Sequence, residues 1–253
     1  MQQNRGFSLI EMAFVLVIIT LLLGGLLVPF ATQVEQRRIA ETQKAMEEIK
    51  EALIGYALSH SSTGTPSQPY LPCPDTTATP VPGGGTANDG QEDRNGTACA
   101  VTEGNLPWVN LGVSPSDAWG NRFHYRVELG FANSASGFSL TDPAFITICK
   151  NAACAATDRL ATGVPAAVLS FGKNGYGAIS ATRLAGDVTT ISCPPPGAVC
   201  SMDEAKNIDS TDALMVSRII TTADTAAGEF DDLVIWLSPN VLYNRMVSAG
   251  RLP

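Results

Sequence analysis

Residues 7–31, FSLIEMAFVLVIITLLLGGLLVPFA, form an apolar run whose strongly polar side chains are Ser8, Glu11 and Thr20. At about 1.5 Å per residue, a helix of this length reaches across a bilayer core of about 30 Å. The run is too long for the apolar region of a cleaved secretory signal, and no small-x-small site follows it. A single-pass anchor is expected, with Arg5 on the cytoplasmic side. An anchor alone does not account for Glu11, because a carboxylate in hydrocarbon is costly and marks a functional pairing. Pro29 lacks an N–H and clashes with the preceding turn, so it is expected to kink or unwind the helix.

The helical pattern continues past the run. Over residues 33–60 there is no proline and one glycine; Ile39, Met46 and Leu53 recur every seven residues, with Ile49 and Tyr56 between them, giving one apolar stripe. Arg37 and Glu41 stand at i, i+4 on the opposite face. The heptads are too few for a coiled coil. One helix is therefore expected to run to about Ser59, apolar all round in its first half and packed on a globular part in its second.

Gly6, Phe7, Ser8, Leu9, Ile10 and Glu11, behind the hydrophilic MQQNR, resemble the processing site of type IV prepilins and type II secretion pseudopilins. The resemblance implies cleavage between Gly6 and Phe7 by a prepilin peptidase, and N-methylation of Phe7. It also implies that Glu11 meets the terminal amine of a neighbouring subunit as helices bundle into a filament. A charge pair in a dry bundle adds little raw stability but fixes register, since removing one partner leaves a buried charge unpaired. The division expected is a leader at 1–6, a transmembrane and assembly helix at 7–31, its amphipathic continuation at 32–60 and a globular head at 61–253.

The six cysteines, Cys73, Cys99, Cys149, Cys154, Cys193 and Cys200, all lie beyond the apolar run, as expected of disulfides in an oxidising compartment. Metal binding is the alternative, but no C-x-x-C occurs, and His60 and His124 stand far from paired cysteines in sequence. Several connectivities are open; pairing neighbours along the chain is the simplest. A net charge of −8 argues against a nucleic-acid groove.

Residues 61–105, rich in Ser, Thr, Gly and Pro, read as a long surface loop clipped by Cys73 and Cys99, with Glu92 exposed. Phe123, Tyr125, Val127 and Leu129 alternate with His124, Arg126 and Glu128 as in a half-buried strand. Further strands are expected at 144–149, 166–171 and 232–237, and a short helix within 203–218. Ser238 and Pro239 suit the start of a final helix and Gly250 its end. The fold expected is α+β and pilin-like: a long N-terminal helix, membrane-spanning in its first half, packed on a small, mostly antiparallel sheet with disulfide-clipped loops.

Three head segments resemble the major pseudopilins of type II secretion: SDAWGNRFHY at 116–125, SFGKNG at 170–175 and GEFDDLVIW at 228–236. In that family the region holds calcium, which would fall on Asp231 and Asp232; this chain inserts roughly 50 residues, with Cys193 and Cys200, between the last two segments. Asp89, Glu92 and Asp93 form a second oxygen-rich stretch of the kind calcium prefers, without the spacing of an EF-hand loop. No cofactor is required on this reading.

The function expected is that of a structural, minor subunit of a type IV pilus or type II secretion pseudopilus. It would sit in the bacterial inner membrane, in contact with lipid, with its head in the periplasm, and then pass into the filament. Its partners would be other pilin subunits, the prepilin peptidase and the inner-membrane assembly platform, not nucleic acid. An adhesive or ligand-binding minor pilin is the alternative. A membrane-anchored enzyme is disfavoured, since no G-x-S-x-G, P-loop, metal-ligand run or histidine beside a nucleophile is present.

Overall fold

The structure, a computed structural model, describes residues 8–193, 200–209, 211–226 and 228–253, and the backbone alone over 22–31. In chain order its elements are α1 (Leu9–Ser59), β1 (Arg94–Asn95), β2 (Ala98–Cys99), β3 (Glu103–Asn105), α2 (Trp108–Leu111), β4 (His124–Val127) and β5 (Ile146–Cys149). They continue with β6 (Arg159–Val164), β7 (Ala166–Ser170), α3 (Met202–Ile208), β8 (Leu214–Val216), β9 (Leu233–Leu237) and α4 (Pro239–Ser248). The chain divides into two compact units, Met1–Glu41 and Thr42–Pro253. The boundary falls inside α1, where the helix begins to bury side chains at Thr42.

In the first unit α1 is apolar and exposed over residues 9–21. The only side-chain ion pair described in this unit joins Arg37 to Glu41 at 2.7 Å. The helix is unbroken at Pro29, so the expected unwinding is absent. Among the described residues no helix is long and apolar enough to cross a membrane. The expected span at 7–31 falls partly outside them, and residues 8–21 alone would cover about 21 Å, short of a core of about 30 Å.

In the second unit the stripe read from the sequence is buried at Met46, Ile49, Leu53 and Tyr56. The expected single sheet is, among the described residues, a two-stranded β1-β2 ribbon and two larger sheets. One has the order β3-β4-β7-β9, antiparallel throughout, and the other β6-β5-β8, with β5 and β8 parallel. Alternation along the strands explains why both are needed. Ala166 and Val168 of β7, with Leu233, Ile235 and Leu237 of β9, join a core that includes Ile49 and Leu53 of α1 and Leu242 and Met246 of α4. Ala167 and Leu169, with Val234 and Trp236, face the opposite way into a core with Ile146, Ile148 and Met215 of the second sheet. The four-stranded sheet is thus a middle layer, and strands buried on both faces read as continuous apolar runs.

Residues 61–105 are not the surface loop expected. Leu71, Cys73, Asp75 and Thr76 are fully buried, and carboxylates supply the acceptors that sheet partners would otherwise give. Asp75 accepts from the N–H of Asn88 and of Gly90, each at 2.8 Å. Glu92 accepts from Cys73 N–H and from the Tyr56 hydroxyl, both at 2.9 Å, and pairs with Arg94. Asp93 accepts from Thr76 N–H at 2.9 Å. Glu92 is therefore a framework residue, not an exposed one. The disulfides join Cys73 to Cys99, Cys149 to Cys154 and Cys193 to Cys200, the neighbour pairing. At the far end of the chain Arg251 donates to the carbonyl of His60 at 2.6 Å and to the Ser61 hydroxyl at 2.7 Å.

Burial raises the pKa of Asp75 to about 7 against the opposing pull of the Gly90 and Asn88 N–H groups. The folded chain then holds a proton that the unfolded chain releases between about pH 4 and about pH 7, so stability contributed here falls as pH rises through that window and is level above it. Asp75→Asn is expected to cost about 1 kcal/mol through a mismatched amide and to flatten this part of the pH dependence. Urea midpoints measured across the window check it, and an unchanged slope would contradict the assignment.

Candidate functional site

The start of α1 is held by a reciprocal pair. The carboxylate of Glu11 accepts from Ser8 N–H at 2.8 Å, while the Ser8 hydroxyl accepts from Glu11 N–H at 3.3 Å. This is a capping box, in which a first-turn carboxylate and a preceding hydroxyl each satisfy an orphan amide of the helix end. The sequence carried the signal as S-x-x-E directly ahead of an apolar run, and Ser8 was missed as a functional residue. Thr20, the other polar side chain here, donates to the carbonyls of Leu16 and Val17, both at 2.9 Å. The helix therefore presents Glu11 as the only charge on an exposed apolar surface over residues 9–21. Gly6 and Phe7 lie outside the described residues.

The family model described as the prokaryotic N-terminal methylation motif matches residues 1–27. This chain carries the type IV pilin and pseudopilin signature. No curated protein matches the chain, and no solved structure does. The motif supports a pilin-like or pseudopilin-like precursor, and it implies processing by a prepilin peptidase and assembly with other pilin subunits.

In the second unit the segments 116–125, 170–175 and 228–236 converge. Asp117 accepts from the N–H of Trp119 and Asn121, both at 2.9 Å, and from the Ser170 hydroxyl at 2.7 Å. Asn121 reaches on to the Gly172 carbonyl at 2.9 Å. Gly172 has φ +60, and a Cβ there would stand 2.3 Å from the Asp231 carbonyl oxygen. Only glycine lets the 170–175 turn lie against the acidic segment.

Beside that contact Glu204, Asp231 and Asp232 bring carboxylate oxygens within 4.8 Å of one another. Asn174 ties two of them, through its N–H to Asp231 at 2.8 Å and its side chain to Glu204 at 2.9 Å. Asn207 donates to Asp232 at 2.8 Å. Burial raises all three carboxyls above their ordinary range, Asp231 to about 7 and Asp232 well up. One oxygen of Asp231 is buried with no hydrogen-bond partner. Three carboxylates, one of them with an orphaned oxygen, are hard donors that suit calcium, which would take further oxygens from backbone or water. Glu204 was not singled out from the sequence. It comes from α3, within the inserted stretch, where Ser201 accepts from its N–H at 3.2 Å, so local pattern reads it as a cap.

The second oxygen-rich stretch does not assemble. Asp89 accepts from Gln91, Glu92 serves Cys73, Tyr56 and Arg94, and Asp93 serves Thr76. The only acidic cluster with ligand spacing among the described residues is the one above. Calcium at a hundredfold excess over its Kd is expected to raise head stability by about 2.7 kcal/mol, with chelator reversing the rise and Glu204→Gln with Asp231→Asn abolishing it. Thermal melting of the detergent-solubilised full chain reads both. A melting temperature indifferent to calcium would remove the cluster from consideration as a cation site.

Proposed function

We propose that this precursor is cleaved after Gly6, methylated at Phe7 and built, as a structural subunit, into a type IV pilus or type II secretion pseudopilus. Residues 7–31 cross the bacterial inner membrane before assembly, with the head in the periplasm, and the inner-membrane platform draws the subunit into the filament. A minor position suits the head, where the insertion between the 170–175 turn and the acidic segment adds α3 and β8 to the sheet scaffold. Its role is structural and not catalytic. The observation carrying this reading is Glu11: a lone carboxylate in the first turn of an exposed apolar helix, within the methylation motif.

In the single chain that carboxylate is held by Ser8 of its own helix. On docking it turns to the Phe7 amine of a neighbour, exchanging a local cap for an intermolecular ion pair. Glu11→Gln separates the two roles, since an amide oxygen still accepts from Ser8 N–H but carries no charge. The variant is expected to be cleaved at Gly6 and to accumulate in the inner membrane, yet to be depleted from sheared filaments about tenfold or more, as is Glu11→Leu. N-terminal mass analysis of the membrane pool and quantification of co-assembled subunits measure this. Wild-type incorporation of Glu11→Gln would show that the charge is dispensable, and a wild-type pool retaining Met1 would refute processing.

A further inference from the structure

The outer face of β3 and β4 is not covered by the second sheet's apolar core. Where β7 and β9 carry Ala167, Leu169, Val234 and Trp236 into that core, β4 carries His124 and Arg126, and β3 carries Glu103. Arg126 pairs with Glu103 at 2.7 Å, and the His124 imidazole lies 3.8 Å from the same carboxylate. Over this face opens a cavity of about 440 Å³, within the range of about 300–1,000 Å³ typical of small-ligand sites.

Its lining is divided by chemistry. The Phe171 ring and Ile179 are buried in its floor. Gly177 lets Ile208 and the Phe171 ring close in beside it, because a Cβ there would stand 2.7 Å from Ile208 and 2.9 Å from that ring. Thr77, Thr102, Thr190 and His124 line the rest of the cavity, with Asn105 and Asn207. No hydrogen bond among the described residues engages the three threonine hydroxyls. Each can donate and accept. The one carboxylate of the lining is matched by the Arg126 guanidinium, so neither an anion nor a cation finds an unbalanced partner.

We propose that this cavity binds a neutral polyhydroxylated ligand of monosaccharide size, its C–H face on Phe171 and Ile179 and its hydroxyls on the threonines and His124. A ring of alternating donors and acceptors with one apolar face matches rotatable hydroxyls above an apolar floor. A charged ligand would have to break the pair between Glu103 and Arg126. The cavity lies wholly within the Thr42–Pro253 unit, so no residue of 1–41 is needed to build it.

The test uses the full chain in detergent, unassembled, with methyl glucoside, methyl galactoside and N-acetylglucosamine as neutral probes and inorganic phosphate and putrescine as charged ones. The chain has two histidines, so the imidazole NMR signals of His124 and His60 report site and control in one sample. At about 10 mM, which saturates a site of about 1 mM affinity, at least one neutral sugar is expected to shift His124 and leave His60 unmoved. Thr77→Val with Thr102→Val keeps the shape and removes two hydroxyls, and is expected to weaken binding about tenfold or more. Thr190→Val, on an exposed segment, gives a smaller loss without loading the fold. No shift with any neutral sugar, a response to the charged probes instead, or unaltered affinity in both valine variants would each overturn the proposal.

Discussion

The head depends on the burial of β7 and β9 on both faces. Val168 and Ile235 can leave water only if α1 covers one side, and Leu169 and Trp236 only if β5, β6 and β8 cover the other. At about 25 cal/mol per Å² of apolar area removed from water, two faces of one sheet give a chain of modest size the core that a single face would not. The same requirement explains why the inserted stretch carries β8. That strand lies parallel to β5 and completes the outer layer opposite the helix. α3 then follows from β8, since Asn207 exchanges two hydrogen bonds with the backbone of Val216, at 2.7 and 3.0 Å.

Acidic residues in this molecule do two physically different things. Asp75, Glu92 and Asp93 point inward and satisfy backbone N–H groups of a segment with little regular structure, where an unpaired buried amide would cost about as much as a lost hydrogen bond. Glu204, Asp231 and Asp232 instead crowd against one another, and their mutual repulsion adds to their burial. Composition cannot separate the two groups. What separates them is the supply of nearby amide donors, which is ample around Asp75 and incomplete around Asp231.

Much of this was legible in the sequence where the signal was local. The stripe from Met46 to Tyr56, the strands at 166–171 and 232–237 and the final helix after Ser238 follow from periodicity and capping, while the cysteine pairing was one of several open connectivities, the simplest. β3 and β8 escaped because three residues carry no period, and β6 because RLATGV has little apolar alternation and a glycine at φ +66. The second sheet could not be inferred, since an apolar run says that a strand is buried but not by what. Glu204 was out of reach for the same reason: its neighbours are set by the packing of α3, not by spacing along the chain. Glu11, to which we assign assembly, stood out from the motif alone, whereas its hydrogen bond to Ser8 needed the pattern S-x-x-E to be taken as a cap as well.

The contact of Arg251 with His60 and Ser61 gives the head a mechanical character. The last residues of the chain clasp the segment at which the long helix hands over to the rest of the molecule, and Leu252 is buried in the same core as Leu53. Tension applied through the helix therefore meets both ends of the domain at once. Such a closed grip ties the first and last segments of the domain together, so that separating them means breaking both Arg251 hydrogen bonds and exposing Leu252.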